Sequence, residues 1–233
     1  HTTSHLTLLQ QSQQQLLYLH HLLVDTIKQY GILGGLIPSF FMSTDFIEIY
    51  DNTLSHEMCK SFLSYIDNSN KTRRTVKDLK DIWYVTECYL SDSNPLINSL
   101  FRILVDTTNK YVKKHPQLAK TDAMWNLDNN FCLQKYDPNM AYYKSHAENL
   151  GLGDRNMRRM LVWMIYLNTV TDGGGTYFEN YDKTIDAVEG RCVIWPAYWT
   201  HFHNGIVSNT QTKYIATGWY MFNEYHPIDN KGS

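Results

Sequence analysis

Apolar residues recur along this chain at two spacings, and the change from one to the other divides it. Near the start, Leu6, Leu9, Leu16, Leu19, Leu23 and Ile27 fall on one face of a 3.6-residue helix, across a glutamine-rich stretch from Gln10 to Gln15. Gly31, Gly34, Gly35 and Pro38 then stop that periodicity. Residues 1–41 read as an N-terminal helix and linker, accessory to the main body or foreign to it, because Met42-Ser43-Thr44 would make a natural start. From Phe46 the pattern is that of an α+β domain spanning 42–233. A short strand is expected at Phe46 to Tyr50, and a helix from Ser55, whose hydroxyl can cap it. Asn94-Pro95 supplies a cap and a first-turn proline for a second helix, with Leu96, Leu100, Ile103 and Leu104 at helical spacing up to Pro116. After Phe131 the runs shorten and turn residues separate them. Strands are expected at Phe131 to Tyr136, Met160 to Leu167, Thr176 to Phe178, Arg191 to Trp195 and Lys213 to Phe222. Helices first and strands later suggest helices laid on one face of a β-sandwich. There is no internal repeat.

Composition narrows this picture. The chain has 233 residues, 43% hydrophobic and 19% charged, enough for one full core. A net charge of -2 removes any general electrostatic argument for nucleic acid or an anionic membrane as partner. The apolar stretch from Leu16 to Val24 is interrupted by His20 and His21 and falls short of the roughly 18 residues that a membrane helix needs. Cys59, Cys88, Cys132 and Cys192 lie far apart with no Cys-x-x-Cys pair, as expected of reduced thiols. With no signal-peptide pattern at the start, a cytoplasmic location is expected.

Candidate chemistry lies in two separated stretches. In Tyr143-Lys-Ser-His146-Ala-Glu148 an extended backbone would send His146 and Glu148 to the same side, offering an imidazole nitrogen and a carboxylate oxygen to one metal ion. Downstream, Trp199-Thr-His201-Phe-His203-Asn-Gly205 holds two further histidines on one expected strand face, followed by Lys213. Two histidines and one carboxylate on a triangular face of an octahedron leave adjacent positions open for a bidentate 2-oxoacid and dioxygen. A far carboxylate on that acid would need a cation, and Lys213 is placed to be one.

From about Tyr136 to Phe222 the chain resembles the prolyl 4-hydroxylase-like branch of the 2-oxoglutarate/Fe(II)-dependent dioxygenases. Their pattern is Tyr-x-x-His-x-Asp, then a distant His-x-Gly with a basic residue nine or ten positions on. His203-Asn-Gly205 with Lys213 fits that spacing, which favours His203 over His201 as the second histidine ligand. The resemblance implies a double-stranded β-helix (jelly roll) with supporting N-terminal helices. It also implies His146, Glu148 and His203 as the catalytic metal site, Lys213 and Tyr166 on the distal carboxylate of the co-substrate, and Tyr136 as a further co-substrate contact. Gly173-Gly-Gly-Thr176-Tyr-Phe178 is similar to the family's glycine turn and strand, and Gly190-Arg-Cys-Val-Ile-Trp195-Pro196 to the strand leading to the second histidine. The departure is Glu148 in place of the usual aspartate. A carboxylate is nonetheless present, which favours oxygenation over halogenation.

The resemblance implies Fe(II) and 2-oxoglutarate as cofactor and co-substrate, dioxygen as oxidant and ascorbate as an auxiliary reductant. The implied reaction hydroxylates a C–H bond, with a prolyl residue of a peptide or protein as first substrate class and a free amino acid or small molecule as second. A silent jelly-roll binding module is the reading from another class. Arg155, Arg158 and Arg159, which follow the first metal-binding motif, are expected either to line a substrate entrance or, as loop charge clusters usually are, to be solvated, and Trp199 and Trp219 to be either cavity walls or core.

Overall fold

The computed structural model describes residues 44–69, 72–73, 84–89, 94–121, 123–151 and 153–223, with the backbone course alone given at 72–73 and 84–89. The chain divides into two compact units, His1–Thr44 and Asp45–Ser233. The expected leucine-faced helix and linker of residues 1–41 lie outside the described residues, and all the described strands and helices belong to the second unit.

Strand β1 is Glu48–Tyr50. Helix α1, His56–Asn68, starts where the Ser55 side chain accepts a hydrogen bond from the Met58 amide, as the sequence suggests. Strands β2 (Thr72–Arg73) and β3 (Tyr84–Tyr89) follow. Helix α2, Pro95–Lys114, begins with the Asn94 side chain capping the Leu96 amide at 2.9 Å and ends before Pro116. The remaining elements are β4 (Trp125–Tyr136), a short helix α3 (Asp154–Met157), β5 (Arg159–Tyr166), β6 (Thr176–Phe178), β7 (Lys183–Ile185), β8 (Cys192–Pro196), β9 (His203–Gly205) and β10 (Lys213–Phe222). Every pairing among the described strands is antiparallel. One sheet runs β1-β8-β5-β10-β4-β3-β2 and the other β7-β6-β9.

Strand alternation sorts side chains into two cores. On β5, Leu161, Trp163 and Ile165 join Phe62 and Ile66 of α1 and Leu100 and Leu104 of α2 in one cluster. Val162, Met164 and Tyr166 join Phe178 and Ile185 of the small sheet in another. The large sheet is therefore covered by helices on one face and by the small sheet on the other. This is why β5 reads as an unbroken apolar run rather than an alternating one. Strand β10 alternates more visibly. Tyr214, Ala216 and Tyr220 enter the helix-side core, while Lys213, Ile215, Thr217 and Trp219 line a cavity on the opposite face.

Several strands are longer or more numerous than the sequence pattern predicts. Strand β4 begins at Trp125 instead of Phe131, because pairing with β10 carries the polar run Asn126–Asn130 that would read as loop on propensity. Strands β7 and β9 are too short for a period-two signal. They exist because β6 pairs with both, Tyr177 lying opposite Thr184 on one side and Asn204 on the other.

Candidate functional site

His146 and His203 meet through the backbone. Their amides and carbonyls exchange hydrogen bonds of 3.0 and 2.9 Å, an isolated antiparallel bridge that sends both imidazoles to one side with ring centroids 4.5 Å apart. His203 is further held by its pairing opposite Phe178 and by the rings of Phe178 and Trp195, 5.5 and 5.1 Å from its own. Each imidazole has its Nδ1–H committed to a carbonyl, His146 to Lys144 at 3.0 Å and His203 to His201 at 2.9 Å. That orients both rings with Nε2 turned toward the cluster, the atom that carries the lone pair when the imidazole is neutral.

Glu148, two residues beyond His146, joins them from the same side. Its Oε1 lies 3.3 Å from His146 Nε2 and 3.8 Å from His203 Nε2, and one ligand atom from each of the three residues falls within 4.8 Å of the others. Metal–ligand bonds of about 2.1 Å put neighbouring donors roughly 3 Å apart, a spacing that the two carboxylate–imidazole pairs, at 3.3 and 3.8 Å, approach and that a bound ion would draw the set toward. Burial would raise the Glu148 pKa, but the hydrogen bond from His146 and the charges of His146, His203 and Arg159 outweigh it and bring the carboxyl down to about 2. Desolvation, reinforced by His146, pushes His203 down to about 4. An ionised carboxylate and a neutral imidazole are the forms a metal binds.

The cavity beside this cluster has a volume of about 310 Å³. Lys213 projects into it, 5% exposed, with its Nζ 4.6 Å from the Tyr136 ring centroid. Among the described residues no acceptor or carboxylate pairs with that ammonium, and burial alone brings its pKa down to about 8. A buried, unpaired cation in a cavity is costly unless an anion arrives. A Cβ at Gly205 would crowd the Tyr142 carbonyl oxygen at 3.3 Å and make an ordinary contact with Lys213 Nζ at 3.5 Å. Tyr136 lines the cavity and donates to Gln134 Oε1 at 2.6 Å.

Two expectations from the sequence are corrected. His201 does not share a strand face with His203. It closes a 3-10 turn, Trp199–His201, and its Nε2–H donates to the Asp45 carbonyl at 2.8 Å, away from the metal cluster. Tyr166 does not line the cavity. It is fully buried one layer back, its hydroxyl 2.7 Å from Thr176 Oγ1 and 3.3 Å from the Ile185 carbonyl, and Thr176 is the residue that reaches the cavity surface. Tyr143, which stands in the family's motif register, is exposed at 46%. Its neighbour Tyr142 lines the cavity instead, 4.3 Å from the His146 ring.

Arg159 is a site residue that the sequence offers only as one of three loop arginines, solvated or at an entrance, and the structure sets it in the cavity wall. Its Nη1 donates to Glu148 Oε2 at 2.9 Å and to the Glu148 carbonyl at 3.2 Å, and its guanidinium lies 3.7 Å from the centroid of the Trp219 ring. Period-two counting back from Val162, Met164 and Tyr166 puts Met160 in the cavity and Arg159 outside. The β5–β10 register slips by one residue at this point, Tyr220 facing Leu161 but Met221 facing Arg159. The bulge sends both Met160 and Leu161 into the helix-side core and turns Arg159 inward. Arg155, by contrast, pairs with Asp128 at 2.7 Å in a half-exposed contact, as expected of a surface arginine.

Residues 131–221, which hold every one of these cavity residues, match the family model of the 2OG-Fe(II) oxygenase superfamily. None of the curated proteins compared matches the sequence. Solved structures of similar fold include the viral collagen prolyl hydroxylase of Paramecium Bursaria Chlorella virus-1 in its 2OG complex (TM-score 0.58, 16% identity, covering 79% of this chain and 99% of that one). A prolyl-4-hydroxylase of Pseudomonas putida gives TM-score 0.60 at 13% identity, over 78% of this chain and 96% of that one. The prolyl hydroxylase of Trichoplax adhaerens in complex with a hypoxia inducible factor oxygen degradation domain peptide fragment gives TM-score 0.60 at 15% identity, over 78% of this chain and 86% of that one. The resemblance read from the motifs thus stands at both levels, in the matched segment and in the fold.

Proposed function

We propose, starting from the match of residues 131–221 to the 2OG-Fe(II) oxygenase superfamily, that this chain is an Fe(II)- and 2-oxoglutarate-dependent dioxygenase built on a double-stranded β-helix. The reaction is hydroxylation of a C–H bond, with a prolyl residue in a peptide or protein as the first substrate class. The observation that carries the reading is the pairing of a three-donor cluster, His146, Glu148 and His203, with a buried Lys213 that has no anionic partner among the described residues, in the same cavity.

In this reading His146 Nε2, His203 Nε2 and Glu148 Oε1 hold the iron, and the iron with dioxygen supplies the oxidising chemistry. The protein's own residues do the rest. Lys213 receives the distal carboxylate of 2-oxoglutarate, a five-carbon dianion of a size the cavity holds. Thr176, with Tyr166 fixing its hydroxyl, is placed to add a hydrogen bond to that carboxylate. Tyr142 and Trp219 wall the cavity beside the three donors, where they would limit the access of water, and Ile215 and Met164 add apolar lining. No side chain is required as a general base.

The test is product formation. The chain, incubated with Fe(II), ascorbate, 2-oxoglutarate and a library of proline-containing peptides, is expected to yield succinate in step with a 16 Da gain on one peptide. Succinate coupled instead to a free amino acid or metabolite would move the substrate class. Absence of succinate with every candidate, in protein that retains its fold, would favour a silent binding module.

A further inference from the structure

A glutamate at the carboxylate position raises a geometric problem. Its side chain has one more rotatable bond than an aspartate's, and a free carboxylate can grip a metal through both oxygens. Two-oxygen binding would take one of the positions that a bidentate 2-oxoacid and dioxygen need. Here the two oxygens of Glu148 have separate tasks. Oε1 is the atom near the imidazoles, at 3.3 and 3.8 Å. Oε2 receives Arg159 Nη1 at 2.9 Å and Trp219 Nε1 at 3.1 Å. An ionised carboxylate offers about two lone-pair directions per oxygen, so two N–H donors occupy those of Oε2.

We propose that Arg159 and Trp219 confine Glu148 to a single coordinating oxygen, which keeps the co-substrate positions open with a glutamate where an aspartate is usual. The inference rests on the metal and co-substrate reading above.

Three features make the clamp rigid. Arg159 grips Glu148 twice, at Oε2 and at the backbone carbonyl, and the guanidinium lies against the Trp219 ring whose N–H meets the same oxygen. Asn149, next along the chain from Glu148, donates its side-chain amide to the Arg159 carbonyl at 2.9 Å and its backbone amide to Ala197 at 2.8 Å, so the two partners are tied through their backbones as well. The bulge at Met160 is what brings Arg159 to this face at all. Arg159 and Trp219 are positioning residues, acting on the metal only through Glu148.

The experiment separates metal binding from co-substrate binding under anaerobic conditions. Fe(II) affinity is measured on the chain alone, then 2-oxoglutarate affinity by the visible charge-transfer band of the chelate, with X-ray absorption showing, from the distance of the carboxylate carbon, whether one or both Glu148 oxygens are bound before and after co-substrate. Wild type is expected to use one Glu148 oxygen. Arg159→Met is expected to keep or tighten Fe(II) affinity, bind through both Glu148 oxygens in place of one water, and weaken 2-oxoglutarate binding about tenfold. Trp219→Phe keeps the ring and loses one donor, so a smaller loss of about threefold is expected. Arg159→Lys should recover part of the tenfold, since a single cationic donor returns to Oε2.

Unchanged 2-oxoglutarate affinity in both Arg159→Met and Trp219→Phe would overturn the clamp. So would a loss of Fe(II) affinity in both with normal 2-oxoglutarate binding to the metal that remains, because the pair would then merely hold Glu148 in place. If Arg159→Met does not fold, as judged by near-UV circular dichroism, Trp219→Phe alone decides. A wild-type chain that takes up no Fe(II) removes the functional reading itself, an outcome distinct from any failure of the clamp.

Discussion

Lys213 is the side chain whose environment makes the most specific demand. Burial lowers its pKa to about 8, so its positive charge is present below that pH and is lost as pH rises through it. If 2-oxoglutarate is the anion it awaits, kcat/KM for 2-oxoglutarate falls above pH 8, while kcat at saturating co-substrate falls less, because kcat/KM reports the free enzyme. A flat kcat/KM profile between pH 7 and 9 would contradict this. Lys213→Ala is expected to raise the KM for 2-oxoglutarate by one to two orders of magnitude, the equivalent of a charge-assisted hydrogen bond of about 1.5–3 kcal/mol. The two histidines make a second test at this scale. His203→Ala should abolish Fe(II) retention measured by equilibrium dialysis. His201→Ala should retain it and lose only about 1 kcal/mol of stability with its bond to the Asp45 carbonyl.

At the scale of elements, the site depends on strand alternation and on two places where it is interrupted. Alternation alone puts Lys213, Ile215, Thr217 and Trp219 on the cavity face of β10, and the His-x-Glu spacing puts two donors on one side; both were legible in the sequence. Arg159 was not, because a one-residue bulge leaves no mark in the hydrophobic pattern when both residues beside it are apolar. Nor was the displacement of Tyr166 behind Thr176, since adjacent strands decide which of two polar residues fronts a cavity. The exclusion of His201 depends on a 3-10 turn ending two residues before His203, which a strand-like reading of Trp199 to Gly205 cannot anticipate. Turns give their own prediction. Gly174 sits at φ +71°, and a Cβ there would come within 2.6 Å of Val170 Cγ1. Gly174→Ala should therefore cost about 1–3 kcal/mol in a denaturant melt, while Fe(II) binding by the folded fraction stays near normal.

For the molecule as a whole, the helices and the small sheet have divided roles. The helices cover one face of the large sheet and supply one core, and the cavity lies on the other face with the small sheet. No helix among the described residues is long and apolar enough to cross a membrane. Because Fe(II) and 2-oxoglutarate would bind the folded state alone, adding both at a hundred times their dissociation constants is expected to raise the unfolding free energy by about 2.7 kcal/mol for each ligand, and a chelator should reverse it. The most direct measurement is an anaerobic titration of the chain with Fe(II) followed by 2-oxoglutarate, read by visible absorbance. One equivalent of each is expected, with a charge-transfer band that is absent from His203→Ala and present in His201→Ala. No band in the wild type, or a full band in His203→Ala, would contradict the assignment of His146, Glu148 and His203 as the iron site.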